Sequence, residues 1–393
     1  MSRFFDLISK PAREMGLYTP VPQQSAASAP ASAPSLIKLD SNENPFGPSP
    51  RAIEAMNLAL GASNSYPDDE CNPLRRALAS HHDLPADQIM VTAGSTALLG
   101  LLCQTLLAPR LNAVTSQRSF IVYSLAVQAA GADLIEVPMR DDAFDPGAIL
   151  DAIDDNTRLV FIANPNNPTG TMLEASVIER FLAHVPPDVV VVLDEAYYEF
   201  ATHFASLRGT TYSQSLDYVR RGVSVIVLRT FSKAHGLAGL RIGYGLGPAE
   251  LFSYCAHMRN TFSVSTVAQA AALAALHDQN HIAQVVANNA VQAPILAEAL
   301  ATFGFRVTPT STNFLHCDVG QEASSFAARL RDEGVSVRPL EPWGAANSIR
   351  VTIGTPEQNQ SFLDAVGKVV SRSVGSIAHD SSGQTSSRET MQP

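Results

Sequence analysis

Residues 189–200 read VVVVLDEAYYEF, and this stretch decides the fold. An unbroken apolar run has no exposed side, so it marks a strand covered on both faces, as in sheets sandwiched between helices. Residues 159–163 (LVFIA), 223–228 (VSVIVL) and the shorter 89–91 (IMV) read the same way. Helical patterns lie between them. Ser49-Pro50 caps and opens RAIEAMNLAL, and AGSTALLGLLCQTLL follows the 89–91 strand. Alternating strands and helices predict an α/β fold with a mostly parallel sheet. The polar residues directly after the strands then gather at its C-terminal edge, where open sheets of this kind bind ligands.

The rest of the chain fits around that sheet. From residue 265 an Ala-rich helical stretch leads toward a second, smaller domain, with strands near 312–317 and 348–353. Residues 21–35 (VPQQSAASAPASAPS) have no apolar periodicity and read as a flexible segment behind an N-terminal helix. The Ser-rich end, residues 371–393, reads as a disordered tail. The predicted division is an N-terminal 1–60 shared with the small domain, a large domain over 61–275 and the small domain over 276–370.

The chain has 393 residues, of which 46% are hydrophobic, enough for a substantial core in two domains. Its net charge of −10 argues against a nucleic-acid surface. Cys71, Cys103, Cys255 and Cys317 are widely spaced, form no CxxC pair or metal-ligand cluster, and read as core thiols of a reducing compartment. No apolar run reaches the ~20 residues of a membrane span, and the first residues lack the apolar core of a signal peptide. These features predict a cytoplasmic protein without a metal site.

Four groups of residues can carry chemistry. Lys233 follows a buried strand in RTFSKAHGLAGLRIGYG (229–245), with Arg241 eight residues on. Burial favours a neutral amine, the form that condenses with an aldehyde, although the string alone also fits a surface lysine beside a glycine-rich loop. Asp194 closes the 189–193 run, and Tyr197 follows by three. A carboxylate there can pair with a protonated pyridine nitrogen, and Tyr197 and Asn167 can donate to a ring oxygen; helix capping and core packing are the plainer alternatives. Gly94-Ser95-Thr96 opens a helix after a strand, a start that attracts phosphate or is an ordinary turn. Arg338 and Arg350 interrupt apolar segments near the end, suited to an anion or to a structural salt bridge. The doublet His81-His82 reads as exposed. Adjacent Asp194 and Glu195 point to opposite faces, which argues against a hydrolytic carboxylate pair.

Taken in order, SNENPFGPSP (41–50), NPNNPTG (164–170), DEAYYEF (194–200), RTFSKAHGLAGLRIGYG (229–245), NTFSVSTVAQAAALAAL (260–276) and SIRVTIGT (348–355) resemble the histidinol-phosphate aminotransferase family, class II pyridoxal-phosphate-dependent aminotransferases of fold type I. The resemblance implies a seven-stranded, mostly parallel sheet in the large domain, a smaller α/β domain, and pyridoxal 5'-phosphate as cofactor. It implies Lys233 as Schiff-base lysine and proton shuttle, Asp194 as partner of the pyridine nitrogen, and Asn167 and Tyr197 as donors to the phenolic oxygen. Gly94, Ser95, Thr96, Thr230, Ser232 and Arg241 would hold the phosphate. Tyr66 would reach the neighbour's cofactor phosphate across a homodimer interface. Arg350, with Arg338, Asn44 and Tyr18, would face the substrate. The implied reaction moves the amino group of L-histidinol phosphate to 2-oxoglutarate in histidine biosynthesis. Aromatic or broad-specificity transamination, decarboxylation of a phosphorylated amino acid, and a cofactor-free binding protein are the alternatives. In one place the chain departs from the family: residues 117–123 read QRSFIVY, with Arg118 where a proline is usual and Phe120, expected over the cofactor ring, without a hydroxyl.

Overall fold

The computed structural model describes residues 4–15 and 36–380, with side chains to residue 372. Its centre is a seven-stranded sheet in the order Ile89–Thr92, Gly243–Leu246, Val225–Thr230, Val190–Asp194, Thr157–Ala163, Asn112–Ser116, Asp133–Val137. Gly243–Leu246 pairs antiparallel with both of its neighbours, while the pairings from Val225–Thr230 to Asp133–Val137 are parallel. The apolar runs read from sequence are its interior: Val225–Leu228 and Leu159–Ile162 are 0% exposed. At about 25 cal/mol per Å² of apolar surface, burial of such strands is the main stabilising contribution.

A second sheet of four antiparallel strands follows the order Arg338–Leu340, Ala345–Thr352, Phe314–Asp318, Arg306–Thr308. It packs around its own hydrophobic cluster, which includes Phe314, Phe326, Ile349 and Phe362. The 24-residue helix Gln279–Thr302 contributes Ile282, Val285, Leu296 and Leu300 to that cluster. The strand Ile37–Lys38 pairs in parallel with Val335–Ser336, and Leu39 accepts from Thr352 N, so the first strand among the described residues joins the C-terminal unit. From there residues 40–48 run past the turn after Val225–Thr230, where Ser41 O accepts from Lys233 and Asn44 donates to Ala234 O.

Two expectations change. The helix Pro356–Asp380 continues ten residues into the segment 371–393 read as disordered; polar, Ser-rich composition weakens a core-facing signal without preventing a helix begun on the buried residues Phe362, Val366 and Val369 from running on. Residues 381–393, like the segment 21–35, lie outside the described residues. His82 is buried rather than exposed. The helix Asn72–His82 places Leu74, Leu78 and His82 on one face, and His82 Nε2 lies 3.0 Å from the Tyr244 hydroxyl. Burial pushes His82 down to about 2, so it is neutral. His81 is exposed as expected. All four cysteines are buried and free. Among the described residues no helix is long and apolar enough to cross a membrane, and no cluster could hold a metal ion.

Candidate active site

A cleft of about 480 Å³ opens at the C-terminal ends of the central strands. Lys233 stands in it on the turn after Val225–Thr230, its Nζ donating to Ser41 O at 3.2 Å and lying 5.8 Å from the Tyr197 ring centre. Burial pushes the Lys233 amine down to about 7; the guanidinium groups of Arg350 and Arg241 push the same way, against Glu43 and Asp194. At neutral pH a substantial fraction of this lysine is therefore the free amine.

Opposite stands Asp194, the last residue of its strand and 5% exposed. Burial pushes its carboxyl up to about 6, opposed first by a hydrogen bond from Tyr123 and then by one from Ala196 N. Tyr197, also buried, accepts from Asn42 Nδ2 at 2.9 Å, which leaves its own hydroxyl proton to donate elsewhere. Asn167 Oδ1 accepts from Arg350 Nη1 at 2.6 Å, so its amide presents N–H groups. Phe120 lines the cleft from the turn before the helix Val122–Ala129.

One end of the cleft is a cradle of donors. Gly94, with φ +84°, precedes the helix Ser95–Leu106, whose first N–H groups and the Ser95 and Thr96 side chains face the opening. A Cβ on Gly94 would lie 2.6 Å from Arg241 Nη2, so only glycine leaves that guanidinium its place. Arg241 donates to Ser232 Oγ at 3.4 Å, and Thr230 Oγ1 donates to Ser232 Oγ at 3.0 Å. Hydroxyls, helix N–H groups and a fixed cation at one point form a site for a dianion.

Beneath the strand ends, Glu195 and Arg229 turn away from the cleft and pair at 2.8 Å, both almost fully buried. The alternation along each strand thus gives one face to chemistry (Asp194, Thr230) and the other to a structural ion pair.

Other residues expected at the site stand elsewhere. Arg350 is 6% exposed and its terminal nitrogens donate to Asn167 and to Asp40 O, so it stands behind Asn167 rather than in the lining. Arg338 is its cross-strand neighbour, also outside the lining. Asn44 spends its amide on backbone, donating to Ala234 O and accepting from Phe46 N, which pins the 40–48 crossing beside Lys233. Tyr66 is 82% exposed and stacks on Phe262 at 4.6 Å, away from the cleft of its own chain. Tyr18 lies outside the described residues. Sequence reasoning missed Ser41 and Glu43, which line the cleft only through the long-range crossing, Asn42, which donates to Tyr197 from the same crossing, and Tyr123, whose spacing of three from Phe120 was the available signal. Where a proline is usual, Arg118 has φ +51°, which proline's ring forbids.

The mostly parallel seven-stranded sheet, with the cleft at the C-terminal ends of its strands, is the fold of the fold-type I aminotransferases. The chain belongs to the family of class I and II aminotransferases, which it matches over residues 34–366. It is 43% identical over 345 residues to histidinol-phosphate aminotransferase 2 of Pseudomonas aeruginosa, covering 88% of this chain and 90% of that one. With histidinol-phosphate aminotransferase of Moorella thermoacetica it shares 39% identity over 336 residues, 85% of this chain and 86% of that one. The crystal structure of histidinol-phosphate aminotransferase from Sinorhizobium meliloti in complex with pyridoxal-5'-phosphate superposes with a TM-score of 0.79 at 30% identity, covering 86% of this chain and 92% of that one.

Proposed function

We propose that this chain is a cytoplasmic, homodimeric, pyridoxal-phosphate-dependent aminotransferase that moves the amino group of L-histidinol phosphate to 2-oxoglutarate, giving imidazole-acetol phosphate and L-glutamate in histidine biosynthesis. The observation that carries it is the single cleft in which a lysine with a lowered pKa faces a buried aspartate beside an anion cradle. The substrate assignment draws on the relatives' names over most of the chain. Two separate hydrophobic clusters, one within residues 52–276 and one mostly within 282–369, support a large domain over 61–275 and a small one over 276–370; of residues 1–60, Leu39 joins the small cluster, whereas Ala52 of the helix Pro50–Ala59 packs in the large one.

The residues present fit the cofactor: an amine, a carboxylate, an aromatic face and a cradle that a Gly94 Cβ would fill. When bound, pyridoxal phosphate supplies an aldehyde for amines and a ring that accepts the electron pair of a broken Cα–H bond. Lys233 Nζ would anchor the cofactor through its aldehyde, and as a free amine it would take up the substrate's α-proton as base and return it as acid. Asp194 keeps a proton on the ring nitrogen through its negative charge, set in place before reaction. Tyr197 and Asn167, both lining the cleft, would donate to a ring oxygen, and Phe120 would offer an aromatic face to the ring. Gly94, Ser95, Thr96, Thr230, Ser232 and Arg241 hold the phosphate, and the partner copy's residue corresponding to Tyr66 completes that end. Arg350, which meets the cleft through Asn167, and its neighbour Arg338 are the proposed cations behind the anionic ends of both substrates, with Asn44 fixing the 40–48 crossing beside Lys233 and Tyr18 assigned to the substrate side.

Steady-state kcat/KM for L-histidinol phosphate and L-phenylalanine, each with 2-oxoglutarate, tests the substrate. A preference for histidinol phosphate of about 100-fold or more is expected where a site is built for a polar group. Equal values would move the assignment to an aromatic or broad-specificity aminotransferase.

A further inference from the structure

The turn before the helix Val122–Ala129 and the first turn of that helix each reach the site. Phe120 lines the cleft, and Tyr123, three residues on, passes beneath it to donate its hydroxyl to Asp194 Oδ2 at 3.0 Å. Tyr123 is 1% exposed, stacks on Phe161 at 4.8 Å with 8° between the planes, and meets Phe120 edge-on at 5.7 Å. Phe161 belongs to the central strand Thr157–Ala163, so the stack packs the phenol against the sheet beside the carboxylate.

We propose that Tyr123 is a positioning residue that holds the Asp194 carboxylate charged and oriented for the cofactor's ring nitrogen. The inference rests on the proposed role of Asp194. Two donors fix the carboxylate, Tyr123 on Oδ2 and Ala196 N on Oδ1, so its rotation is set from both sides. Burial alone drives Asp194 toward the neutral acid, which could not stabilise a protonated ring. The charged groups facing it are few: Glu195 on its own strand disfavours ionisation, Lys233 from the turn after the next strand favours it, and Tyr123 favours it by donating. Burial and the neighbouring charge push Tyr123 well above its ordinary value, so it remains the donor at every working pH. The ring of Tyr197 is the other ionisable group close to Tyr123 and is itself held protonated by burial.

Tyr123→Phe keeps the ring, the stack on Phe161 and the contact with Phe120, and removes only the donor. The full-length wild type, Tyr123→Phe and Asp194→Asn are depleted of cofactor by dialysis against phosphate and titrated with pyridoxal 5'-phosphate between pH 6 and 9, followed by the cofactor's absorbance. Tyr123→Phe should bind about tenfold more weakly at pH 7, the scale of one hydrogen bond to a charged group. Its deficit should shrink toward pH 9, where Asp194 ionises without help, so the acid limb of binding moves to higher pH than in wild type. A purely structural Tyr123 would give a pH-independent change or none. Superimposable curves for Tyr123→Phe and wild type, with Asp194→Asn weakened, would overturn the inference and leave the aspartate's role intact. Wild-type binding by both variants would remove the role of Asp194 and this inference with it.

Discussion

Lys233 is the residue on which the proposed chemistry turns, and its environment makes a prediction that composition could not. Its folded pKa lies near 7, below the ordinary value of 10.5, because burial and the nearby guanidinium groups disfavour the ammonium form. The neutral fraction of a base grows with pH through its pKa, so the rate at which depleted protein takes up pyridoxal phosphate should rise through about pH 7 and level above 8. A rate that instead climbed toward pH 10 would mean an unperturbed, solvent-exposed lysine. Lys233→Ala should lower transamination by on the order of 10³-fold or more, since anchor and proton carrier vanish together; the measurement is turnover with cofactor in excess. Lys233, Asp194 and the Gly94–Thr96 helix start were legible because each directly follows an apolar strand. Asn42, Ser41 and Glu43 were not, because they arrive at the cleft over a crossing of roughly 190 residues' sequence separation, seen in the Ser41–Lys233 and Asn44–Ala234 bonds. Arg350 was legible as an arginine needing partners, but its burial behind Asn167 depends on the packing of two sheets.

At the scale of elements, two contacts hold the strand ends and the crossing loop. Glu195 and Arg229 tie neighbouring strands together beneath the site at 2.8 Å, and the guanidinium also lies 3.4 Å from the Tyr198 ring centre. Glu195→Gln leaves a buried cation short of its counter-charge, and chemical denaturation should show a loss of about 3–5 kcal/mol. A loss below 1 kcal/mol would mean that solvent reaches the pair. The crossing loop meets the Lys233 turn backbone to backbone at Gly236, whose φ is +72° and whose added Cβ would lie 2.2 Å from Gly47 O. Gly236→Ala should cost about 3 kcal/mol through clash and backbone strain. It should also reduce cofactor retention, read by melting and by dialysis, whereas a wild-type melting curve would contradict the close approach. Four strands of the large sheet were plain in the sequence as apolar runs buried on both faces, whereas Asn112–Ser116, Asp133–Val137 and Gly243–Leu246 carry polar residues or glycines that hid them. Helices were less so: His82 occupies a buried turn of a helix whose local composition is polar, and the helix from Pro356 outlasts its apolar face.

For the whole molecule, the small unit grips the turn that carries Phe120 from two sides. Trp343 Nε1 donates to Ser119 O at 2.9 Å, and Asp142 joins Arg118 at 3.0 Å to Arg306 at 3.2 Å. The departure at Arg118 therefore has a structural use, since a side chain able to reach Asp142 stands where a proline ring could not adopt the observed backbone. Tyr66 looks outward with Phe262 from the same molecule, as a residue serving a second copy would. Tyr66→Phe should leave the fold intact and weaken cofactor retention several-fold, the scale of one hydrogen bond, in dialysis against phosphate. Unchanged retention would count against a contribution across the dimer. No reading of one chain's periodicity could locate such a residue, because its proposed partner lies on another copy.

The most direct test of the central claim is a single turnover. The purified, cofactor-loaded protein is mixed with stoichiometric L-histidinol phosphate and the absorbance of the bound cofactor is followed. The account predicts conversion of the cofactor from its aldehyde-derived to its amine form without added keto acid, and reversal on addition of 2-oxoglutarate. A cofactor spectrum that stays unchanged with L-histidinol phosphate, while responding to another amino donor, would contradict the proposed substrate.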